Sequence, residues 1–311
     1  MNQPKKTWII TGISSGFGHL LSAELMHRGD FVIGTFRNQN QVDAFNQLNV
    51  GKGVAYKLDV AFPEQIDHFY HELQKRFDNI DVLVNNAGNG LLGAIEEVNL
   101  EEARLQMETN FFGALNMTQQ VLPMMRKQGS GHIVQISSMA GFLSTPGCGL
   151  YNASKFALEG FSEALAIEVE PFNIKVIIIE PGPFRTDFCE TSLKTAAHKI
   201  ADYESSVGSV AKHIHEQHGK QVGDPQKAIE AIIQAVRSDH PPLRLPLGQI
   251  AFNAMLHKME SVKKDLETWQ EVSFQTSFEG MEMIENAQLL KVISRRLKEK
   301  DQAIRVKLED L

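Results

Sequence analysis

Apolar residues follow two alternating rhythms along the first 180 or so positions. Short, nearly continuous apolar runs read as strands: TWIIT (7–11), FVIGTF (31–36), GVAYKLDV (53–60), DVLVNNAG (81–88), HIVQIS (132–137) and IKVIIIEPG (174–182). Between them apolar positions fall three and four apart, as in Leu20, Leu21, Leu25 and Met26, in Val42, Phe45 and Leu48, and in Ile66, Phe69, Leu73 and Phe77. These predict helices, one of them opened by Pro63. Residues 100–127 read as one long helix, and 151–170 as another that ends at Pro171. Strands that are apolar throughout have no face for water, so the sheet is expected to be parallel and covered on both sides. The expected fold is α/β, a Rossmann-type doubly wound parallel sheet. It forms a single catalytic domain over 1–250, followed by a helical C-terminal extension over 251–311.

In such a sheet ligands lie beyond the carboxyl ends of the strands. Here those ends carry Gly12, Arg37, Asp59, Asn86, Ser138 and Pro181. Beyond residue 183 the pattern loosens. Residues 186–222 are polar and mixed, and read as helices and loop forming a substrate lid. Asp224 and Pro225 open a helix over 224–238, and PPLRLPLG (241–248) reads as a last strand and turn. Residues 255–311 read as helix, with an amphipathic stretch through Ile284, Leu289, Leu290, Val292, Ile293 and Leu297.

Composition narrows the function classes. The 311 residues are 42% hydrophobic and 22% charged with a net charge of −7, the balance of a soluble globular protein. Mild acidity argues against nucleic-acid or anionic-membrane partners. Two cysteines, Cys148 and Cys189, make neither a disulfide framework nor a four-thiolate metal site. They fit a reducing compartment, so a cytoplasmic location is expected. The apolar run after Lys5 and Lys6 breaks at Gly12, too soon for a secretory leader. The uncharged stretch from Gln128 to Ser154 is 27 residues long, but Gly and Pro interrupt it, so it is no membrane span. His213, His215 and His218 lack the i, i+4 spacing of a helical metal site, and no metal is expected.

The chemistry concentrates in a few places. Gly12, Ile13, Ser14, Ser15, Gly16, Phe17 and Gly18 follow the first strand and open the first helix, the setting of a dinucleotide phosphate cradle. Gly12 permits a tight turn, and Gly16 and Gly18 permit close approach of a pyrophosphate and of the sheet. The helix N-terminus supplies N–H donors and positive dipole. The spacing is TGxxxGxG rather than GxGxxG. Further along stand Asn85-Asn86-Ala87-Gly88, Asn110, Ser138, Tyr151-Asn152-Ala153-Ser154-Lys155 and Pro181-Gly182-Pro183-Phe184-Arg185-Thr186.

In this order and spacing, over 7–186, the motifs resemble those of the classical short-chain dehydrogenase/reductase family. Tyr151 and Lys155 stand one helical turn apart, so the ammonium is expected to pull the phenol below its ordinary pKa of about 10. A phenol tuned this way exchanges a proton near neutral pH. Ser138 would donate to a substrate oxygen as charge develops there. The resemblance implies more. Lys155 would also bind the nicotinamide ribose, and Asn110 would hold a water of a proton relay. Asn86 would lie near the adenine ribose, Asp59 and Val60 near the adenine, and Phe184 and Thr186 near the nicotinamide. The catalytic set is thus Asn110, Ser138, Tyr151 and Lys155.

The second strand ends on Arg37 with no acidic residue, a pattern that suits a 2′-phosphate and points to NADP, with NAD possible. The expected activity is an NADP-dependent carbonyl reductase or alcohol dehydrogenase, with Tyr151 as general acid/base. Leu91, Leu92, Phe142, Leu143, Pro146, Leu150 and Phe188 would wall an apolar pocket, so the small-molecule carbonyl or alcohol is expected to be apolar. Two rival readings remain. One is an NADP-binding redox sensor that acts through a protein partner. The other is a sugar-nucleotide epimerase or dehydratase, although extended relatives of that kind carry GxxGxxG in the turn. Pairing through helices 100–127 and 151–170 into a homo-oligomer is expected, as the family often does.

Overall fold

The computed structural model describes residues 4–278. The amphipathic stretch through Ile284 to Leu297 lies outside the described residues. The chain divides into two compact units, Met1–Lys258 and Met259–Leu311.

The first unit is built on a seven-stranded sheet: β1 (Thr7–Ile10), β2 (Phe31–Phe36), β3 (Gly53–Lys57), β4 (Val82–Asn85), β6 (Gly131–Ile136), β7 (Ile174–Pro181) and β9 (Arg244–Leu247). Their spatial order is β3-β2-β1-β4-β6-β7-β9, and every pairing is parallel. This is the doubly wound α/β fold. The order reverses at β1, so the crevice between β1 and β4 is the switch point where ligands bind.

Alternate strand residues feed two cores. On one face Trp8, Ile10, Val82, Val84, Val134, Ile177 and Ile179 pack with Leu21 and Leu25 of α1 (Gly16–His27), Val42 of α2 (Gln39–Leu48), and Ile229, Ile232 and Ile233 of α8 (Pro225–Val236). On the other, Ile9, Leu83, Ile133 and Val176 pack with Ile66, Phe69 and Leu73 of α3 (Pro63–Gln74), Met117, Val121 and Met125 of α5 (Gly113–Gln128), and Leu165 of α6 (Gly149–Glu168). Each fully buried aliphatic side chain contributes about 1.5–3 kcal/mol. The expected helix starts are present. Pro63 and Pro225 sit in the first turns of α3 and α8, and Asp224 Oδ1 accepts from the Gln226 and Lys227 N–H groups at 2.9 and 3.5 Å.

Two local features depart from the expected pattern. The long helix over 100–127 is divided: α4 (Leu100–Met107) passes through a π-helical turn over Glu108–Phe112 into α5. A second, two-stranded parallel sheet joins β5 (Gly90–Leu92) to β8 (Leu193–Thr195), so the lid region contains a strand. Beyond β8 the lid consists of short turns and α7 (Ser209–Glu216). α9 (Gln249–Thr268) starts with Ala251 and Met255 buried, and α10 (Gln270–Phe274) lies in the second unit. Among the described residues no helix is long and apolar enough to cross a membrane.

Candidate active site

β1 ends in a turn made possible by Gly12 at φ +69° and Gly16 at φ +57°, values costly for residues with a Cβ. The turn is pinned from both neighbouring strands. The Thr35 hydroxyl of β2 accepts from the Gly12 N–H at 3.0 Å. From the β4 side, Asn86 Nδ2 donates to the carbonyls of Thr11 and Gly12 at 2.9 and 2.8 Å. Thr11 Oγ1 in turn accepts from the N–H groups of Asn86 and Ala87 at 3.0 and 2.9 Å. Gly18 has no room for a side chain: a Cβ there would stand 2.3 Å from Gly12 O and 2.4 Å from Asn86 Nδ2. Asn86 therefore shapes the turn, a task that its expected place near the adenine ribose did not suggest. Thr11 and Thr35 share the work, and sequence reasoning passed over both.

The turn suits a pyrophosphate. At the N-terminus of α1 no side chain caps the helix, and no acidic residue occupies the first turn. The N–H donors and the dipole are thus left to an outside anion. The space above Gly16 is open, with no atom within 4 Å of where a Cβ would stand. At the end of β2, Arg37 is exposed and has no hydrogen-bond or ion-pair partner among the described residues. Asp59 Oδ1 accepts from Ala61 N–H at 3.1 Å, and Val60 is buried against Gly113. The Phe184 ring meets Phe17 edge-on at 5.3 Å, which joins the sixth strand end to the glycine turn. Thr186 N–H donates to Phe184 O at 2.9 Å.

The catalytic candidates meet at the end of β6. Ser138 follows that strand and caps a short turn over Met139–Gly141, its Oγ accepting from Ala140 N–H at 3.1 Å. Ser138 also acts on the Tyr151 phenol, lowering it. Lys155 Nζ donates to Ile136 O at 2.8 Å and lies 6.0 Å from the Tyr151 ring centroid. Asn110 is buried in the π-helical turn. Its Nδ2 donates to Asn89 O at 2.9 Å and to Ser154 Oγ at 3.0 Å, while its Oδ1 accepts from Asn89 N–H at 2.9 Å. A Cβ on Gly88 would touch both Asn110 Oδ1 (3.3 Å) and Lys155 Nζ (3.6 Å), so this glycine keeps the path between them open. Asn110 thus stands in a π turn and bonds the β4–β5 loop at Asn89.

One expectation is corrected. The Tyr151 phenol is not pulled down by Lys155: burial pushes it up to about 12, against the lowering effect of Ser138. Lys155 itself is driven down to about 8 by burial, although the charge of Glu159 raises it. Desolvation dominates at Tyr151, and the Lys155 ammonium is turned toward Ile136 O.

The seven residues expected to wall a pocket differ in burial. Leu91 and Leu92 are buried in β5, and the Phe188 ring lies 6.3 Å from that of Tyr151. Phe142, Leu143 and Leu150 are half-buried, and Pro146 is exposed. Burial raises the Cys148 and Cys189 thiols, so neither is primed as a nucleophile. His213, His215 and His218 are exposed, and His218 faces Glu190 at 3.7 Å.

Residues 6–197 match the family model for short chain dehydrogenase. The chain belongs to the short-chain dehydrogenase/reductase family of oxidoreductases. It is 39% identical to a 3-ketodihydrosphingosine reductase of Bacteroides thetaiotaomicron, over 78% of this chain and 87% of that one. A solved short-chain dehydrogenase from Streptomyces avermitilis is 40% identical with a TM-score of 0.83, covering 89% of this chain and all of that one. The structure of ElxO with NADP bound is 26% identical with a TM-score of 0.64, over 78% of this chain and 97% of its own. The likeness thus runs well past the motif region.

Proposed function

We propose that this short-chain dehydrogenase/reductase interconverts an apolar ketone or aldehyde with its alcohol, using NADP. The observation that carries the reading is Ser138 at the end of β6 with Tyr151 and Lys155 one turn apart on α6, Lys155 Nζ lying 6.0 Å from the Tyr151 ring centroid. NADP supplies or accepts the hydride when bound. Gly12 to Gly18 and the open N-terminus of α1 would hold its pyrophosphate, and Arg37 a 2′-phosphate through its planar fork. ElxO, solved with NADP bound, supports the choice of dinucleotide.

The chain's own groups then act in sequence. Ser138 holds the substrate oxygen against the Tyr151 hydroxyl. Tyr151 gives its proton to that oxygen as negative charge builds there in reduction, and takes it back in oxidation. A phenol raised to about 12 stays protonated at neutral pH, so the free site is set as an acid, the state that reduction requires. Lys155, with Asn110 across Gly88, leads away from the ring and would return the proton. Leu91, Leu92 and Phe188 exclude water from the reacting carbonyl and favour an apolar body, in keeping with the lipid named for the Bacteroides relative. Exposed Leu105 and Phe112 on the α4–α5 stretch and Phe156 and Ile167 on α6 support pairing of two copies through these helices.

The test is NADPH and NADH oxidation against a panel of apolar ketones and sugars. Turnover of apolar ketones with NADPH is expected. Tyr151→Phe should lose at least about a thousandfold in kcat while binding NADPH unchanged. Arg37→Ser should erase the preference for NADPH over NADH. Activity on sugars alone, or full turnover by Tyr151→Phe, would sink the reading.

A further inference from the structure

α6 carries a third buried polar group on the face that holds Tyr151 and Lys155. Glu159 comes one turn after Lys155, and its side chain is 3% exposed. It is held from three sides. Ser137 Oγ, at the end of β6, donates to Glu159 Oε1 at 2.7 Å, with both groups buried. Arg244 Nη1, from β9, donates to Glu159 Oε2. The Met139–Gly141 turn closes over the carboxylate: a Cβ on Gly141 would stand 2.3 Å from Glu159 Oε1 and 2.6 Å from Ser137 Oγ. Arg244 is shared. It also bonds Glu180, which is fully buried on β7, and meets Glu163 of α6 at 2.9 Å, while its guanidinium lies 5.4 Å from the centroid of the Phe142 ring.

The known parts of the site do not account for such a cluster. Two buried carboxylates against one guanidinium would be costly as a mere stabilising device. Ser137, however, is the residue before Ser138, and Phe142 belongs to the loop that walls the pocket. We propose that Glu159 is a positioning residue for the oxidoreductase reaction: through Ser137 it fixes the strand end that presents Ser138, and through its charge it keeps Lys155 an ammonium. The proposal rests on the function given above and adds a residue that touches neither substrate nor cofactor.

The charged and titratable groups around this pair are few. Tyr151 faces Lys155 from the same helix, and Asn110 faces it across Gly88. Around Glu159 stand Arg244 from β9, Glu180 from β7 and Glu163 from α6. Of the acids, Glu159 alone acts on Lys155 among the causes that shift it, and it raises it against burial. Glu180 is pushed up to about 7 by burial and by the charge of Glu159, against the lowering effect of Arg244.

The test uses full-length wild type, Glu159→Gln, Glu159→Asp and Ser137→Ala. Two readouts are followed across pH: kcat and KM on the best apolar ketone, and the NMR titration of the Lys155 ε-methylene, assigned with Lys155→Met. Glu159→Gln keeps an oxygen for Ser137 but has no charge. Its Lys155 midpoint should fall by about one pH unit, and its kcat should drop about tenfold above that midpoint and less below it. Glu159→Asp should keep the wild-type midpoint while losing kcat. Ser137→Ala should leave the midpoint in place and lower kcat about tenfold with KM within about twofold. An unshifted midpoint in Glu159→Gln, or a midpoint that falls in Glu159→Asp, overturns the charge role. Wild-type kcat in Ser137→Ala overturns the link to Ser138. A wild type that reduces no carbonyl would defeat the proposed function instead, and the NMR midpoints would still decide the charge role.

Discussion

The two banks of the crevice are made of different material. The cofactor bank is backbone: Gly12, Gly16 and Gly18, pinned by Thr11, Thr35 and Asn86 through short bonds to main-chain atoms. The lid bank is held by carboxylates. Glu97, 4% exposed, accepts from the N–H groups of Ala94 and Ile200 at 2.8 and 2.9 Å and faces Lys199 Nζ at 3.4 Å. Glu102 accepts from Ala197 N–H at 3.0 Å, and Glu96 from the Tyr203 hydroxyl at 2.8 Å. Between them β5 and β8 pair over only three residues each. One bank has no room for an added atom at Gly18. The other is a surface segment tied down at a few points, the kind of segment that opens locally at low cost.

The sharpest way to break this contrast is on the cofactor bank. Gly18→Ala places a carbon inside the contact radius of Gly12 O and Asn86 Nδ2, and should cost about 3 kcal/mol of stability and abolish NADPH binding. Gly16→Ala, with open space but φ +57°, should cost only about 1–2 kcal/mol. Urea melts with a fluorescence titration of NADPH measure both, and equal costs would remove the case for packing at Gly18. On the lid bank, Glu97→Ala should leave the urea midpoint nearly unchanged but speed proteolytic nicking of 193–203 about tenfold and raise KM more than it lowers kcat. The same release should follow acidification. The N–H groups of Ile200 and Ala94 hold the Glu97 carboxyl below its usual range, so the tether is intact above an ordinary carboxylate pKa and is lost as pH falls through the lowered value.

The smallest effect belongs to the acid pair beneath the site. The Glu180 carboxyl is raised to about 7, so its contribution is fully present below the ordinary carboxylate pKa and is lost as pH rises through about 7. Glu180→Gln mimics the protonated form. The thermal midpoint of the wild type, relative to this variant, should decline by a few degrees between about pH 5 and about pH 8. A constant difference over that range would show that Glu180 does not titrate there.

The sheet and the glycine turn were legible because their signals are local. A continuous apolar run or a TGxxxGxG carries its own explanation within a few residues. The π turn at Glu108–Phe112 was not legible, since an inserted residue leaves the apolar spacing of α4 and α5 nearly intact. β5 and β8 are too short to show a period. The clamp on Glu159 joins residues 137, 180 and 244, brought together only by the order of the strands. A trace of it was visible: Glu180 interrupts the run IKVIIIEP, and an acid in a buried strand needs a partner. Which cation answers it is a tertiary fact. The raised phenol was missed for a similar reason, because helical spacing gives proximity to Lys155 but not the depth of burial.

β9 is an edge strand, and the last strand of the sheet to leave the ribosome. Until residue 244 emerges, Glu159 and Glu180 have no guanidinium, and the nascent sheet can bury them only as neutral acids or not at all. Arg244 therefore completes the last layer only when β9 has joined the sheet. A chain cut short before it would keep the whole glycine turn together with Ser138, Tyr151 and Lys155, and would leave two acids at the heart of its final layer without their cation.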